Sequence, residues 1–258
     1  MDELIGARRG AAARLEQARW APPGQPQGSP IALLHEGLGS VSAWGGFPAR
    51  LAEAAGREVL AYSRAGYGRA DPPPGPFTPS FLHEEAEVLA ELLGELEIDS
   101  PLLVGHSDGG SIALIHAALG RAPQPCGVVT IAAHVLVEPE TLRGIRAVVA
   151  AYPELRERLA RHHADVDAMF SRWTSAWLDP AFASWSIEAL LPAITCPLLV
   201  IQGEDDDFGT LDQVRRITAG AAGPALAFTL SGCGHAPHRE RPAEVLAAIS
   251  EFAAASAG

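Results

Sequence analysis

The sequence predicts an α/β fold: a mostly parallel central sheet with helices on both faces and a helical cap inserted late in the chain. Three observations carry this expectation. Short apolar runs alternate with amphipathic helical stretches along most of the 258 residues, the pattern that builds parallel sheets from strand–helix–strand units. Hydrophobic residues make up 48% of the chain, enough to bury such a sheet on both sides. Between Glu138 and Ile194 the alternation stops, and a helical, tryptophan-bearing segment takes its place. An insertion of that length between two strands reads as a cap over the C-terminal edge of the sheet. The expected division is a core of residues 1–137 and 195–258 with a cap over 138–194.

The elements follow in order. Ile31–Leu34 is a short apolar run before a glycine-rich turn, and Trp44–Ala55 has helical periodicity. Glu58–Tyr62 reads as the next strand, and Phe81–Leu96 as an acidic amphipathic helix. Pro101–Val104 is a buried strand and Gly109–Leu119 the helix after it. Gly127–Ala132, Pro197–Ile201 and Ala225–Leu230 complete the strand set, and a last helix begins at Pro242, proline being well placed at a helix start. Ala21–Pro30 and Asp71–Pro79 are rich in proline and read as surface loops. The first 20 residues suit either a helix, by their Ala/Arg content, or an antiparallel β pair, by their position.

Formal charge is −12, which argues against nucleic acid or an anionic membrane as partner. Arg156, Arg158 and Arg161 cluster, but Glu154 and Glu157 precede Arg158 and Arg161 by four residues. That is the spacing of helical ion pairs, so the stretch reads as a solvated helix face. No apolar run approaches the roughly 20 residues of a membrane span. Met1-Asp2-Glu3-Leu4 lacks the basic start of a secretory signal. A cytoplasmic protein, monomeric or homodimeric, is expected. Cys126, Cys196 and Cys233 fit no Cys-x-x-Cys or Cys/His zinc pattern and read as buried thiols. Cys233 is close enough to His235 to line a site. No metal and no cofactor are expected.

The strongest signal is Val104-Gly-His-Ser107-Asp-Gly-Gly110. It follows a buried strand and opens a helix, the context in which G-x-S-x-G forms a nucleophile turn. A sharp strand-to-helix turn holds the serine in strained φ/ψ, so side chains two residues before and after it would collide; Gly105 and Gly109 remove them. The helix N-terminus then favours negative charge beside the serine hydroxyl.

On these residues the chain resembles the α/β-hydrolase superfamily, in its esterase and thioesterase-like branch, from about Ile31 to Phe252. The resemblance implies the α/β-hydrolase fold and a catalytic triad of Ser107, Asp206 and His235, in the chain order of that family. His35-Glu-Gly-Leu-Gly39 is similar to the family's H-G-x-x-G turn. By position its oxyanion-binding N–H groups belong to Gly37 and Asp108, with Leu38 as a register alternative. Glu36 stands where glycine is usual, and a salt-bridged structural role is the simpler account of it. Asp108 replaces a residue that is commonly hydrophobic; a helix N-terminus accommodates its charge, and an active-site role stays open.

The family places its acid three residues after the glycine that ends a strand, which is Asp206 here, with Asp205 and Asp207 as rivals. The alternative acid position near Ala133 carries no carboxylate. Gly232-Cys-Gly-His235 resembles the terminal G-H loop, and His238 is the competitor to His235. Tyr62–Arg69 resembles the family's R-G-x-G turn, a structural loop near the site. Substrate-facing candidates are Leu38, Trp44, His134, Trp173 and Trp177. Phe170, Trp173 and Trp177 fall on one helical stripe, with Phe182 and Trp185 following, and such stripes usually pack a cap onto its core. His106 reads as a residue that packs or hydrogen-bonds locally, and His162 and His163 as part of the cap's polar face. The implied activity is hydrolysis of a small carboxylic ester or thioester through an acyl-enzyme. The same triad also serves C–C hydrolases, lyases and cofactor-free haloperoxidases, and a ligand receptor can retain this fold.

Overall fold

The computed structural model describes residues 2–6, 13–73 and 75–256. Its core is an eight-stranded sheet: β1 (Asp2–Gly6), β2 (Leu15–Trp20), β3 (Ile31–Leu34), β4 (Val59–Ser63), β5 (Leu102–His106), β6 (Gly127–Ile131), β7 (Leu198–Gly203) and β8 (Ala225–Leu230). Their spatial order is β1-β2-β4-β3-β5-β6-β7-β8. The pairs from β4 to β8 are parallel, while β1 pairs with β2, and β2 with β4, in antiparallel register. Of the two conformations the N-terminal segment allows, the described residues adopt the β pair.

The parallel strands read as continuous apolar runs because they are covered on both sides: every residue of β3, β4, β5, β6 and β7 is buried. One apolar cluster joins the sheet to α1 (Phe47–Ala55) and α8 (Pro242–Ala255). The other joins it to α2 (Phe81–Glu95), α3 (Asp108–Leu119) and the aromatic residues of the insertion. Strand β8, at the edge, is mostly half-buried or exposed, and Leu226 is left open to solvent.

The strand order places the site. The chain leaves β3 for β4 on one side and later returns to β5 on the other, so the loops after β3 and β5 diverge at their C-terminal ends. Open α/β sheets bind ligands in the crevice at such a switch point. The turn carrying Glu36 and Gly37 leaves β3 there, and Ser107 leaves β5 beside it.

Two elements differ from the sequence reading. The helix expected from Trp44 begins only at Phe47: Ser42–Trp44 is a single 3₁₀ turn, and Gly45, at φ 58°, breaks the path before α1. A helix not read from the sequence, α7 (Leu211–Gly220), connects β7 to β8. The segment between β6 and β7 contains α4 (Pro139–Ala150), α5 (Tyr152–Leu159), α6 (Val166–Trp177) and two 3₁₀ turns at Pro180–Phe182 and Glu188–Ala193. Glu138 ties its start to the core: the carboxylate accepts from Thr210 N–H at 2.9 Å, Thr210 Oγ1 at 2.6 Å and Gln213 Nε2 at 2.8 Å.

The ion pairs expected along α5 are replaced by a pair between helices. Among the described residues Arg156 binds Asp167 of α6 at 2.6 Å, and neither Arg158 nor Arg161 has a carboxylate partner. For Arg161 the reason is geometric: α5 ends at Leu159, so Arg161 is off the helix and the i, i+4 relation to Glu157 is lost.

Candidate active site

Ser107 sits between β5 and α3 at φ 52°, ψ −117°, a strained conformation for a residue with a side chain. The neighbouring glycines permit it. A Cβ on Gly105 would overlap the Gly109 carbonyl, and a Cβ on Gly109 would overlap the carbonyl of Leu34 in β3. The serine N–H donates to Ile131 O at 2.8 Å, and its own carbonyl accepts from Gly110 N–H at 2.9 Å, so sheet and helix fix the turn from both sides. The side chain opens on a cavity of about 410 Å³ that His235, Gly37, Leu38, His134, Trp173 and Trp177 also line.

His235 is held by the acid loop. Its Nδ1–H donates to both oxygens of Asp206, at 2.8 and 2.9 Å, which leaves Nε2 unprotonated and able to accept a proton. The Asp206 side chain is fully buried and also accepts from Phe208 N–H at 2.8 Å and Gln202 Nε2 at 3.2 Å. Burial pushes its pKa up, but the hydrogen bond and charge of His235, with the Phe208 N–H, outweigh burial and hold the carboxyl below its ordinary value. Asp205 and Asp207 are exposed, so the register falls on Asp206. His238, the competing histidine, is buried against Trp44 and Phe47 with ring centroids at 5.1 and 5.4 Å. His106 makes a hydrogen bond that is not local: its Nε2–H donates to the His235 carbonyl at 2.8 Å, across 129 positions of sequence.

The turn after β3 is tightly held. Arg64 N–H donates to His35 Nε2 at 3.1 Å, so the other nitrogen carries the hydrogen and donates to Glu36 O at 2.7 Å. This neutral tautomer agrees with a pKa far below the usual histidine value, caused by burial and then by Arg64. The Glu36 side chain folds back over Gly39, where a Cβ would overlap it. It pairs with Arg239 at 3.1 Å and lies 3.5 Å from His106 Nδ1. Burial raises its pKa, yet His106 and Arg239 hold it well below the carboxylate range. The salt-bridged role expected of Glu36 is therefore the one it fills.

Asp108, the residue after Ser107, is buried and paired with Arg64 at 3.2 Å, and Trp177 Nε1–H donates to its other oxygen at 3.2 Å. Burial raises its pKa, and Arg64 with the indoles of Trp177 and Trp173 opposes that only in part. Arg64 also donates to Glu36 O at 3.1 Å and lies over the Tyr67 ring. The loop after β4 thus joins the β3 turn to the residue beside Ser107, a role the R-G-x-G resemblance did not assign to Arg64.

Three expectations are corrected here. Trp44 does not line the cavity; its ring stacks on Phe47 at 5.8 Å and packs into the core under α1, because the 3₁₀ turn rotates it inward. His163 does not lie on a polar face. It is buried, accepts from Gly68 N–H at 3.0 Å and donates to Leu38 O at 3.0 Å, fastening the insertion to both loops. His162 lines the cavity and meets Ser42 Oγ at 2.9 Å. The aromatic stripe divides by position: Trp173 and Trp177 line the cavity, Phe170 stacks on Tyr152 at 3.8 Å, and Phe182 and Trp185 pack with Trp177. Cys233 is buried in the core, where burial pushes its thiol pKa up to about 11.

A strained serine at the switch point of a parallel sheet, with a carboxylate-held imidazole in the same cavity, defines a hydrolase-type α/β protein. A family model described as "Alpha/beta hydrolase family" matches residues 31–249, and the chain belongs to that family. The human "Serine hydrolase BPHL" is 31% identical over 159 residues, which cover 57% of this chain and 53% of that protein. The matched region therefore spans about half the length of that curated relative. A solved hydrolase from Pseudomonas aeruginosa is 25% identical with a TM-score of 0.68, covering 97% of each chain. A thermophilic esterase from Thermogutta terrifontis has a TM-score of 0.71 at 19% identity, covering 100% of this chain and 99% of that one, a likeness of fold. Among the described residues no helix is long and apolar enough to cross a membrane.

Proposed function

We propose that this chain is a serine hydrolase that cleaves a small carboxylic ester or thioester through an acyl-enzyme, with Ser107 as nucleophile, His235 as general base and acid, and Asp206 orienting the imidazole. The observation that carries the reading is the Asp206–His235 pair at 2.8 Å in the same cavity wall as a serine at positive φ. His235 Nε2 takes the Ser107 proton as Oγ attacks the acyl carbon, and Asp206 stabilises the imidazolium that results. The developing oxyanion is received by the backbone N–H groups of Gly37 and Asp108, each donor being worth roughly 3–4 kcal/mol. His235 then protonates the leaving group, and water activated by the same imidazole releases the acid.

Leu38, Trp173 and Trp177 form the apolar wall against which the substrate would lie, and His134 adds a neutral imidazole. Its pKa is lowered to about 3, first by burial and then by His235. Turnover of p-nitrophenyl acetate and of a thioester by wild type and Ser107→Ala tests the proposal. Equal rates from the two proteins would overturn it.

A further inference from the structure

The charges lining the cavity are unevenly matched. Asp108 has Arg64 at 3.2 Å, and Glu36 has Arg239 at 3.1 Å. Arg158 of α5 lines the same cavity, and among the described residues no carboxylate lies within ion-pairing distance of it. The neighbouring guanidinium, Arg156, is the one that takes Asp167. Around Arg158 the wall is aliphatic: Leu155 and Leu159 of α5, with Ile145 and Val148 of α4. In a chain of net charge −12 the overall field repels anions. Arg158 is exposed to solvent at the cavity wall, an unmatched cation on the lining of the space a substrate would fill and a local exception to that field.

We propose that the substrate carries, besides its scissile acyl bond, a free carboxylate at the far side of an apolar spacer, and that Arg158 binds this carboxylate. The inference rests on the serine hydrolase reading and narrows its substrate class. One planar guanidinium matches the two oxygens of one carboxylate, whereas a phosphate dianion would remain half-neutralised. The other ionisable group on this wall adds no second charge: burial, with Arg239 and Arg161, lowers the pKa of His162 and favours its neutral form. The aliphatic residues that line the cavity together with Arg158 and the tryptophans suit a hydrocarbon spacer.

Two matched substrate pairs test this with the full chain. In the first, the p-nitrophenyl half-ester of adipic acid is compared with its methyl-capped neutral form, which puts the carboxylate on the acyl side. In the second, 4-acetoxybenzoate is compared with its methyl ester, which puts it on the leaving group. The readout is the anionic-to-neutral ratio of kcat/KM. For at least one pair the ratio should exceed one in wild type, through KM. It should fall by about tenfold in Arg158→Gln, equivalent to about 1.4 kcal/mol, further in Arg158→Glu, and less in Arg158→Lys. A ratio that Arg158→Gln leaves unchanged for both pairs would overturn the proposal.

Calorimetric titration of Ser107→Ala protein with the same compounds reads the preference as Kd, without turnover. A carboxylate preference in binding with no ester turnover in wild type would refute the hydrolase reading alone. Turnover with no preference would refute the Arg158 assignment alone.

Discussion

Removing the guanidinium of Arg64 tests whether the charge beside Ser107 is buried and compensated. Arg64 and Asp108 are each 1% exposed and paired at 3.2 Å. Arg64→Met keeps most of the side-chain length but leaves the Asp108 carboxylate with indole donors alone, Trp177 at 3.2 Å and Trp173 beside it. Deleting one partner of a buried pair costs about 3–5 kcal/mol, against roughly 5–15 kcal/mol for the stability of a whole domain. The deficit should depend on pH. Burial already raises the Asp108 pKa and Arg64 opposes it, so without Arg64 the pKa rises further. A carboxyl whose folded pKa exceeds its unfolded value of about 3.9 favours the fold while protonated, and that advantage is lost as pH rises through the folded pKa. Urea denaturation at about pH 5 and about pH 8 should therefore show the larger deficit at the higher pH. Adding Asp108→Asn should recover most of it. A deficit below about 1 kcal/mol, equal at both pH values, would refute the reasoning.

Three shorter predictions accompany it. Gly109→Ala sets a methyl against the Leu34 carbonyl, where neither backbone can retreat; it should cost about 1–3 kcal/mol, read as a lowered Tm, and an unchanged Tm would contradict the packing described. Asp206→Asn should lower kcat for p-nitrophenyl acetate by on the order of 10⁴-fold, as loss of the orienting acid does in serine proteases. The same variant should narrow its stability gap to wild type in acid, because a carboxyl with a depressed folded pKa stabilises above its unfolded value and loses that as pH falls through the folded one. His163→Phe strands the Gly68 N–H and the Leu38 carbonyl and should cost about 1–3 kcal/mol in urea denaturation.

The fold and the arrangement of the candidate site were legible because they follow from short-range rules. The glycines around Ser107 are demanded by a turn whose atoms lie within four residues of one another, apart from the Leu34 carbonyl. Buried strands declare themselves as apolar runs, and the G-H step before a proline-led helix fixed His235. Asp206 needed the tertiary structure only to separate it from its exposed neighbours. What stayed illegible depends on partners far away in sequence. His163 sits in a polar stretch, and nothing nearby announces that Gly68 and Leu38 will bury it. Trp44 follows the β3 turn, a position that suggests the pocket, but the 3₁₀ turn at Ser42–Trp44 rotates its ring into the core. Arg64 is one of several arginines until β4 sets it beside Asp108. For α7, Leu211, Val214 and Ile217 have helical spacing, but the helix is only ten residues long and mostly polar between them.

The central claim is that His235 activates the hydroxyl of Ser107. Peptide mapping by mass spectrometry after exposure to a fluorophosphonate measures it most directly. The expected result is one adduct, on the peptide containing Ser107, greatly diminished in a folded His235→Ala variant. An adduct on another residue, or labelling of Ser107 at the same rate without His235, would contradict the claim.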